Sequence, residues 1–191
     1  MDEGDPVTMS ESMDGSRWFG AAALTGALGF TAYVLGGLVT AWLAEPLPEA
    51  GERAPAFAAA GLDGRPVRLS DHRGQAVLLD FWTTTCVGCI GSLNRLARFQ
   101  DDYGDRGFQV LSLNQDPTDL KPEVRAVVKE RGLSFPVAIG PESHAAAEAY
   151  RIRGFPTVVL IDPGGRVRAV HAGAVAESRL RRQIEAMLPA G

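Results

Sequence analysis

Residues 18–44, WFGAAALTGALGFTAYVLGGLVTAWLA, form a run of 27 residues without one charged side chain. No other feature limits the fold so strongly, because a run of this length is too long for an ordinary buried core helix and reads as a membrane span. At about 1.5 Å of rise per residue it reaches roughly 40 Å as a helix, more than the ~30 Å hydrocarbon core of a bilayer, so a tilted or frayed transmembrane helix is expected. Trp18 and Trp42 stand at its two ends, where an apolar ring with a polar edge suits the headgroup level. The rival reading is a cleaved signal peptide, for which Val39, Thr40 and Ala41 offer small residues and Gly36-Gly37 an end to the h-region. Such h-regions run only about 7–15 residues behind a basic arm, and the arm here is acidic, with Asp2, Glu3, Asp5, Glu11 and Asp14. Arg17 is its one basic residue and the next is Arg53, so the positive-inside bias places residues 1–17 in the cytoplasm and the body of the chain outside.

Residues 45–55, EPLPEAGERAP, are rich in Pro and Glu without apolar periodicity and read as a linker. The remaining stretch, 56–191, is close to the modal domain size and can bury one core. A formal charge of −4 argues against a nucleic-acid partner, which needs a basic face to meet phosphates. Only two cysteines are present, too few for a disulfide scaffold.

Within 56–191 the apolar pattern predicts an alternating α/β chain. Leu62 to Arg65 reads as a turn, with a short strand from Val67. Residues 75–82, QAVLLDFW, are a continuous apolar run broken by one acid, as in a strand covered on both faces. Ile90, Leu93, Leu96 and Ala97 follow at helical spacing over 86–99. A second strand is predicted at 108–113, a helix at 119–131 with Pro122 in its first turn, and a third strand at 135–139. A short helix at 145–150, a strand at 157–161, a turn at 162–165, a returning antiparallel strand at 167–171 and a closing helix at 177–188 complete the order. The fold class is α/β, a mixed central sheet with helices on both faces.

The chemistry is concentrated at Cys86-Val87-Gly88-Cys89, which follows the buried-strand pattern and opens a helical one. A thiol there faces unpaired backbone N–H groups and the positive end of the helix dipole, which stabilise its thiolate. Cys86 is accordingly the nucleophile. Cys89, one turn further in, is the resolving thiol that attacks the mixed disulfide formed at Cys86. Half of a zinc site is the competing reading, but tetrahedral zinc needs four ligands, and His72, His144 and His171 are single and scattered.

The run LLDFWTTTCVGC resembles the active-site stretch of the thioredoxin superfamily, and Gly154-Phe155-Pro156-Thr157 leading into VVLID matches its second signature. The strand and helix between Leu113 and Gly154, together with the N-terminal anchor, resemble the TlpA/ResA branch of membrane-anchored extracytoplasmic thiol-disulfide oxidoreductases. The resemblance implies a thioredoxin-like fold and a cis Pro156 against the cysteine pair. It also implies a backbone at Phe155 that pairs with an extended substrate, and Trp82 beside the site. Thr85 stands where the family usually has Trp and leaves Cys86 more open. Ser92 replaces an acid common in that branch, and Asn94 replaces a Pro. Asp80 aligns with the buried Asp of thioredoxin. Burial raises a carboxyl's pKa, so Asp80 beneath Cys89 is a candidate acceptor of that thiol's proton; the bland reading is an Asp at the strand's end bonding backbone amides. Arg151 and Arg153 flank the Pro156 loop, and His171 is expected to be half-buried and structural.

The reading that emerges is a protein thiol-disulfide oxidoreductase with catalytic Cys86, Cys89 and Asp80 and substrate contacts at Phe155, Pro156, Trp82 and Thr85. Its partners are protein dithiols or disulfides and a membrane electron donor, and the Cys86–Cys89 disulfide itself is the redox group, with no organic cofactor or metal. The resemblance implies a reductant's role, including the cysteines of apocytochrome c. The alternative from another class is a thioredoxin-fold copper-delivery module, in which both thiolates and a histidine such as His171 hold Cu(I). A peroxidase is weaker still: the Thr83-Thr84-Thr85-Cys86 run superficially resembles a peroxidatic site, but the upstream Pro expected there is absent.

Overall fold

The computed structural model describes residues 46–189, so the expected span at 18–44 and its arm lie outside the described residues. Among the described residues no helix is long and apolar enough to cross a membrane. Two short strands, β1 (Ala58–Ala60) and β2 (Pro66–Arg68), pair antiparallel around the turn at Asp63-Gly64. The chain then enters β3 (Ala76–Trp82), whose seven residues are all buried. Helix α1 (Val87–Tyr103) leads to β4 (Phe108–Asn114), α2 (Lys121–Glu130) to β5 (Val137–Ala138), and α3 (Pro141–Ala149) to β6 (Thr157–Ile161). A turn then gives β7 (Val167–Ala172) and the closing α4 (Glu177–Glu185). The sheet order is β5-β4-β3-β6-β7, with β3, β4 and β5 parallel and both β6 and β7 antiparallel to their neighbours.

Alternation along β3 sorts its side chains between two cores. Ala76, Leu78 and Trp82 face Cys89, Leu93, Leu96 and Phe99 of α1 and Leu180 and Ile184 of α4. Val77, Leu79 and Phe81 face the other way, toward Ala146, Ala147 and Tyr150 and the residues Ala59 and Val67 of the hairpin. Burying a Leu or Phe contributes about 1.5–3 kcal/mol, so a strand apolar on both faces commits the chain to a sheet with helices on each side. Asp80, between Leu79 and Phe81, takes the α1 face by the same alternation.

Several boundaries differ from the sequence expectation. α1 continues to Tyr103 because Phe99, Tyr103 and Phe108 form a chain of ring contacts at 6.2 and 6.1 Å that extends the apolar stripe by a turn. It ends in a short 3-10 turn, and Gly107, at φ +81, makes the left-handed step into β4. The third strand shrinks from 135–139 to Val137–Ala138 at the sheet edge, where Pro136 has no N–H for the ladder. α3 begins earlier, at Pro141, since a proline is well placed in a first helical turn. The linker reading of 45–55 needs correction in its second half. Gly51 N–H donates to Val167 O at 2.7 Å, Ala54 N–H to Gly165 O at 3.0 Å, and the Tyr150 hydroxyl to Pro55 O at 2.8 Å. Residues 51–55 are therefore part of the folded unit, held by backbone groups that no apolar period reveals.

Candidate active site

The carboxyl end of β3 delivers Thr83-Thr84-Thr85 and then Cys86, which caps α1: its Sγ accepts the Cys89 N–H at 3.2 Å. Cys86 and Cys89 form a disulfide, with 5.2 Å between their Cα atoms. Their surroundings are opposite. Cys89 has no exposed surface and packs with Trp82 and Leu93, while Cys86 is half-buried beside the exposed Val87 and Gly88. No acidic residue occupies the first turn of α1, so nothing there opposes the helix dipole's preference for a thiolate.

The loop before β6 meets this pair from the other side. The Phe155–Pro156 bond is cis, and a Cβ built at Gly88 would lie 3.9 Å from the Pro156 Cδ, in ordinary van der Waals contact. Phe155 is 40% and Val87 88% exposed, and they are the exposed large apolar residues among those described. The loop is held by Thr157, whose hydroxyl donates to Gly154 O at 2.7 Å, and by Gly173 N–H to Pro156 O at 2.7 Å. The disulfide thus sits on an uncharged, open rim of Thr85, Val87, Gly88, Phe155 and Pro156. A concavity of about 670 Å³ lies toward the C-terminal half of α1 between Leu62, Val67, Val128 and Phe135, away from the redox pair.

Trp82 requires a correction. The sequence places it among the substrate contacts, but it is fully buried on the α1 face and forms the floor under Cys89 instead. Asp80 shares that floor. It has no exposed surface and lies mid-strand, so it does not cap a strand end; its one hydrogen bond is from the Ser112 hydroxyl to Oδ2 at 3.5 Å, and Oδ1 has no partner within the protein. Burial pushes its pKa up from 3.8 to about 7, opposed by the Ser112 hydroxyl and by the charge of Arg95. Ser92, at the position where the TlpA/ResA branch often carries an acid, turns its hydroxyl back to Cys89 O at 2.8 Å.

A second buried group escapes sequence reasoning. Asp116 Oδ2 accepts Thr84 N–H at 2.7 Å and Asn114 Nδ2 at 2.8 Å, and Asp116 N–H donates to Asn114 Oδ1 at 3.0 Å. This pins the loop that presents Cys86 to the end of β4. The polar run Asn114-Gln115-Asp116 at the carboxyl end of a buried strand is the signal that could find it, since α/β sheets build their sites at those ends. Of the flanking cations, Arg151 pairs with Glu52 at 2.7 Å. His171, which a copper site would recruit, meets Gln183 Oε1 at 2.8 Å on α4. Among the described residues no group of three or more His, Cys, Asp or Glu is arranged to hold a metal ion.

A mixed sheet whose central strand delivers a Cys-X-X-Cys pair to a helix N-terminus, opposite a cis proline, defines a thioredoxin-fold protein built for thiol-disulfide exchange. Comparison with known proteins narrows the class: the chain belongs to the AhpC/TSA family, whose pattern matches residues 50–170. It is 30% identical to the thiol-disulfide oxidoreductase ResA of Halalkalibacterium halodurans over 88% of this chain and 91% of that one. The ResA of Bacillus thuringiensis subsp. konkukian is 32% identical over 87% and 91%. Among solved structures, a candidate thiol:disulfide interchange protein DsbE from Chlorobium tepidum superposes with a TM-score of 0.68 at 33% identity, covering 73% of this chain and 98% of that one. The thioredoxin domain of a thiol-disulfide oxidoreductase from Bacteroides vulgatus gives 0.65 at 25%, covering 74% and 99%. The chain is a thiol-disulfide oxidoreductase with Cys86 and Cys89 as its redox pair.

Proposed function

We propose that this protein is a membrane-anchored reductant of protein disulfides, working outside the cytoplasm, with the cysteines of exported proteins such as apocytochrome c among its targets. The observation that carries the reading is the asymmetry of the pair, one sulfur at an open uncharged rim and the other fully buried on the face of the sheet that also carries the buried Asp80. In the reduced protein the Cys86 thiolate attacks a substrate disulfide, and one substrate sulfur leaves as a thiolate. The Phe155 backbone and the faces of Pro156 and Thr85 hold the extended substrate segment. Cys89 then gives its proton to Asp80, its sulfur attacks Cys86, and the second substrate sulfur leaves. Two electrons have passed from the dithiol to the substrate, and a membrane electron donor restores the pair. The disulfide is the only redox group this scheme uses, and no organic cofactor or metal enters it.

Membrane attachment rests on the uncharged run at 18–44. The likeness to the ResA proteins supports it, since a match over 88% of the chain is longer than the folded unit and reaches back into that run. The test is the reduction potential of the pair in the full chain held in detergent, by equilibration against glutathione and dithiothreitol buffers. A value near or below about −250 mV is expected of a thioredoxin-like reductant, and one near about −120 mV makes the protein a disulfide donor.

A further inference from the structure

The concavity of about 670 Å³ between the β1–β2 hairpin, α2 and β5 takes no part in the redox chemistry, and its walls divide by polarity. Leu62 and Val67 of the hairpin, with Phe135 and Val137 at the sheet edge, are buried and form its floor. Val128 and Leu133 close one wall, packed on the same core as Leu62 and Phe135. Hollows of about 300–1,000 Å³ with apolar walls and a few placed polar groups are the usual seats of small ligands.

The polar part of the lining is cationic. Val124 anchors α2 in the core, and Arg125 and Lys129, four residues apart and so on one face of that helix, both line the hollow. Arg125 is held by one arm, its Nη2 donating to Leu62 O at 2.9 Å, which leaves its other N–H groups for a further acceptor. Lys129 has no hydrogen bond or ion pair among the described residues. Arg65 is the third cation. The one acid in the lining, Asp63, is already engaged: Oδ2 accepts Arg65 Nε at 2.9 Å and Oδ1 accepts the Arg65 N–H at 3.0 Å. Three cations to one acid is a local reversal in a chain whose formal charge is −4. The hollow offers no strand edge. Leu62 N–H donates to Val137 O at 2.7 Å and Ile139 N–H to Ala60 O at 3.1 Å, so the outer edge of β5 is paired, and Pro66 and Pro136 on the border carry no N–H. A peptide therefore cannot add here as a further strand, and what the walls can recognise is an apolar body with a negative head.

We propose that this concavity is a binding site for an anionic amphiphile, a long-chain carboxylate whose tail lies on Leu62, Val128 and Phe135 and whose head meets Arg125 and Lys129. The tail leaves water for apolar walls, and the head gains charge-assisted hydrogen bonds from a guanidinium and an ammonium, which are stronger than neutral ones. The site is independent of the roles given to Cys86, Cys89 and Asp80, none of which lines it.

The test uses the full-length protein in phosphatidylcholine nanodiscs, irradiated with a dodecanoate whose tail carries a diazirine, the adducts being located by peptide mass. Adducts should fall on residues 62–67 and 125–137, which border the hollow, and should be displaced by excess dodecanoate. A photoreactive dodecylamine, with the same tail and the opposite charge, should label these residues roughly tenfold less. Arg125→Gln combined with Lys129→Gln, at two exposed positions of α2, should lower labelling by dodecanoate at subsaturating concentration by roughly tenfold, with thermal unfolding and Cys86 alkylation as in the wild type. Lys129→Glu, at a side chain that bonds nothing else, repeats the test without disturbing the contact to Leu62 O and should give the same loss. Adducts that avoid the hollow, equal labelling by the amine, or labelling unmoved in both variants would overturn the proposal. So would displacement of the probe by a peptide of alternating Leu and Asp at a lower concentration than by dodecanoate, which would make the hollow a groove for an acidic protein segment.

Discussion

The rim and the floor of the active site differ in almost every physical respect, although one disulfide joins them. The rim of Thr85, Val87, Gly88, Phe155 and Pro156 is open and uncharged, so a substrate segment can lie on it at little desolvation cost. The floor of Cys89, Trp82, Asp80 and Ser112 has no contact with solvent, so charge there is governed by the few protein groups that reach it. The contrast teaches that the two thiols cannot exchange roles: Cys86 is reachable and caps the N-terminus of α1, while Cys89 reacts only after its partner has brought a sulfur to it.

The largest effect expected follows from that division. Cys86→Ser should abolish turnover, whereas Cys89→Ser should still attack and then stall as a mixed disulfide, visible on non-reducing gels as a covalent adduct of a disulfide-bonded substrate. Equal adduct yields from both variants would break the contrast.

Asp80→Asn sharpens it from the floor. Resolution should slow by about 10²-fold, as for loss of a general base, with the first attack nearly unchanged. Stability gives a second readout. In the folded state Asp80 holds its proton up to about pH 7, against 3.8 for the ordinary carboxyl, so its neutral-form stabilisation is complete below 3.8 and is lost as pH rises through about 7. Asp80→Asn should remove that slope and be the more stable protein at pH 8, by at most about 4 kcal/mol, measured by denaturant unfolding of the oxidised forms at pH 5 and pH 8.

Asp116→Ala tests the link between the two regions. It strands the N–H of Thr84 and the amide of Asn114, each a partner of the lost carboxylate, and should cost about 2–3 kcal/mol in unfolding free energy. A loosened loop should also slow the first attack more than the resolving step, the reverse of Asp80→Asn. The smallest effect belongs to the rim. Phe155→Ala should leave reactivity toward a small disulfide unchanged and raise KM for an unfolded protein disulfide by about threefold to tenfold, the cost of about one buried apolar contact at an interface.

Much of the fold and of the redox pair is legible in the amino-acid sequence. The central strand shows in QAVLLDFW, and the helix after it in apolar spacing that starts at the cysteines, because both are driven by burial, which leaves a period in the sequence. The Cys-X-X-Cys pair and the Phe155-Pro156 loop are legible as motifs. What stays hidden depends on polar contacts across the fold. Asp116 holds Thr84 across 32 residues of sequence, Arg95 reaches Val175 O across 80, and Gly51 bonds β7 across more than 100. Trp82 is misplaced by the sequence for a related reason: alternation gives the face of the sheet but not whether a helix seals it, and α1 seals this one. The run at 18–44 has the plainest signal in the chain, and it lies outside the described residues.

The central claim, that one thiol is open and the other closed, is tested most directly by alkylating the reduced full-length protein with iodoacetamide across pH and locating the label by peptide mass. Cys86 should react at least about tenfold faster than Cys89 at every pH from 6 to 8, as expected for a thiolate at a helix N-terminus beside a covered thiol. Equal labelling of the two, or faster labelling of Cys89, would contradict the account.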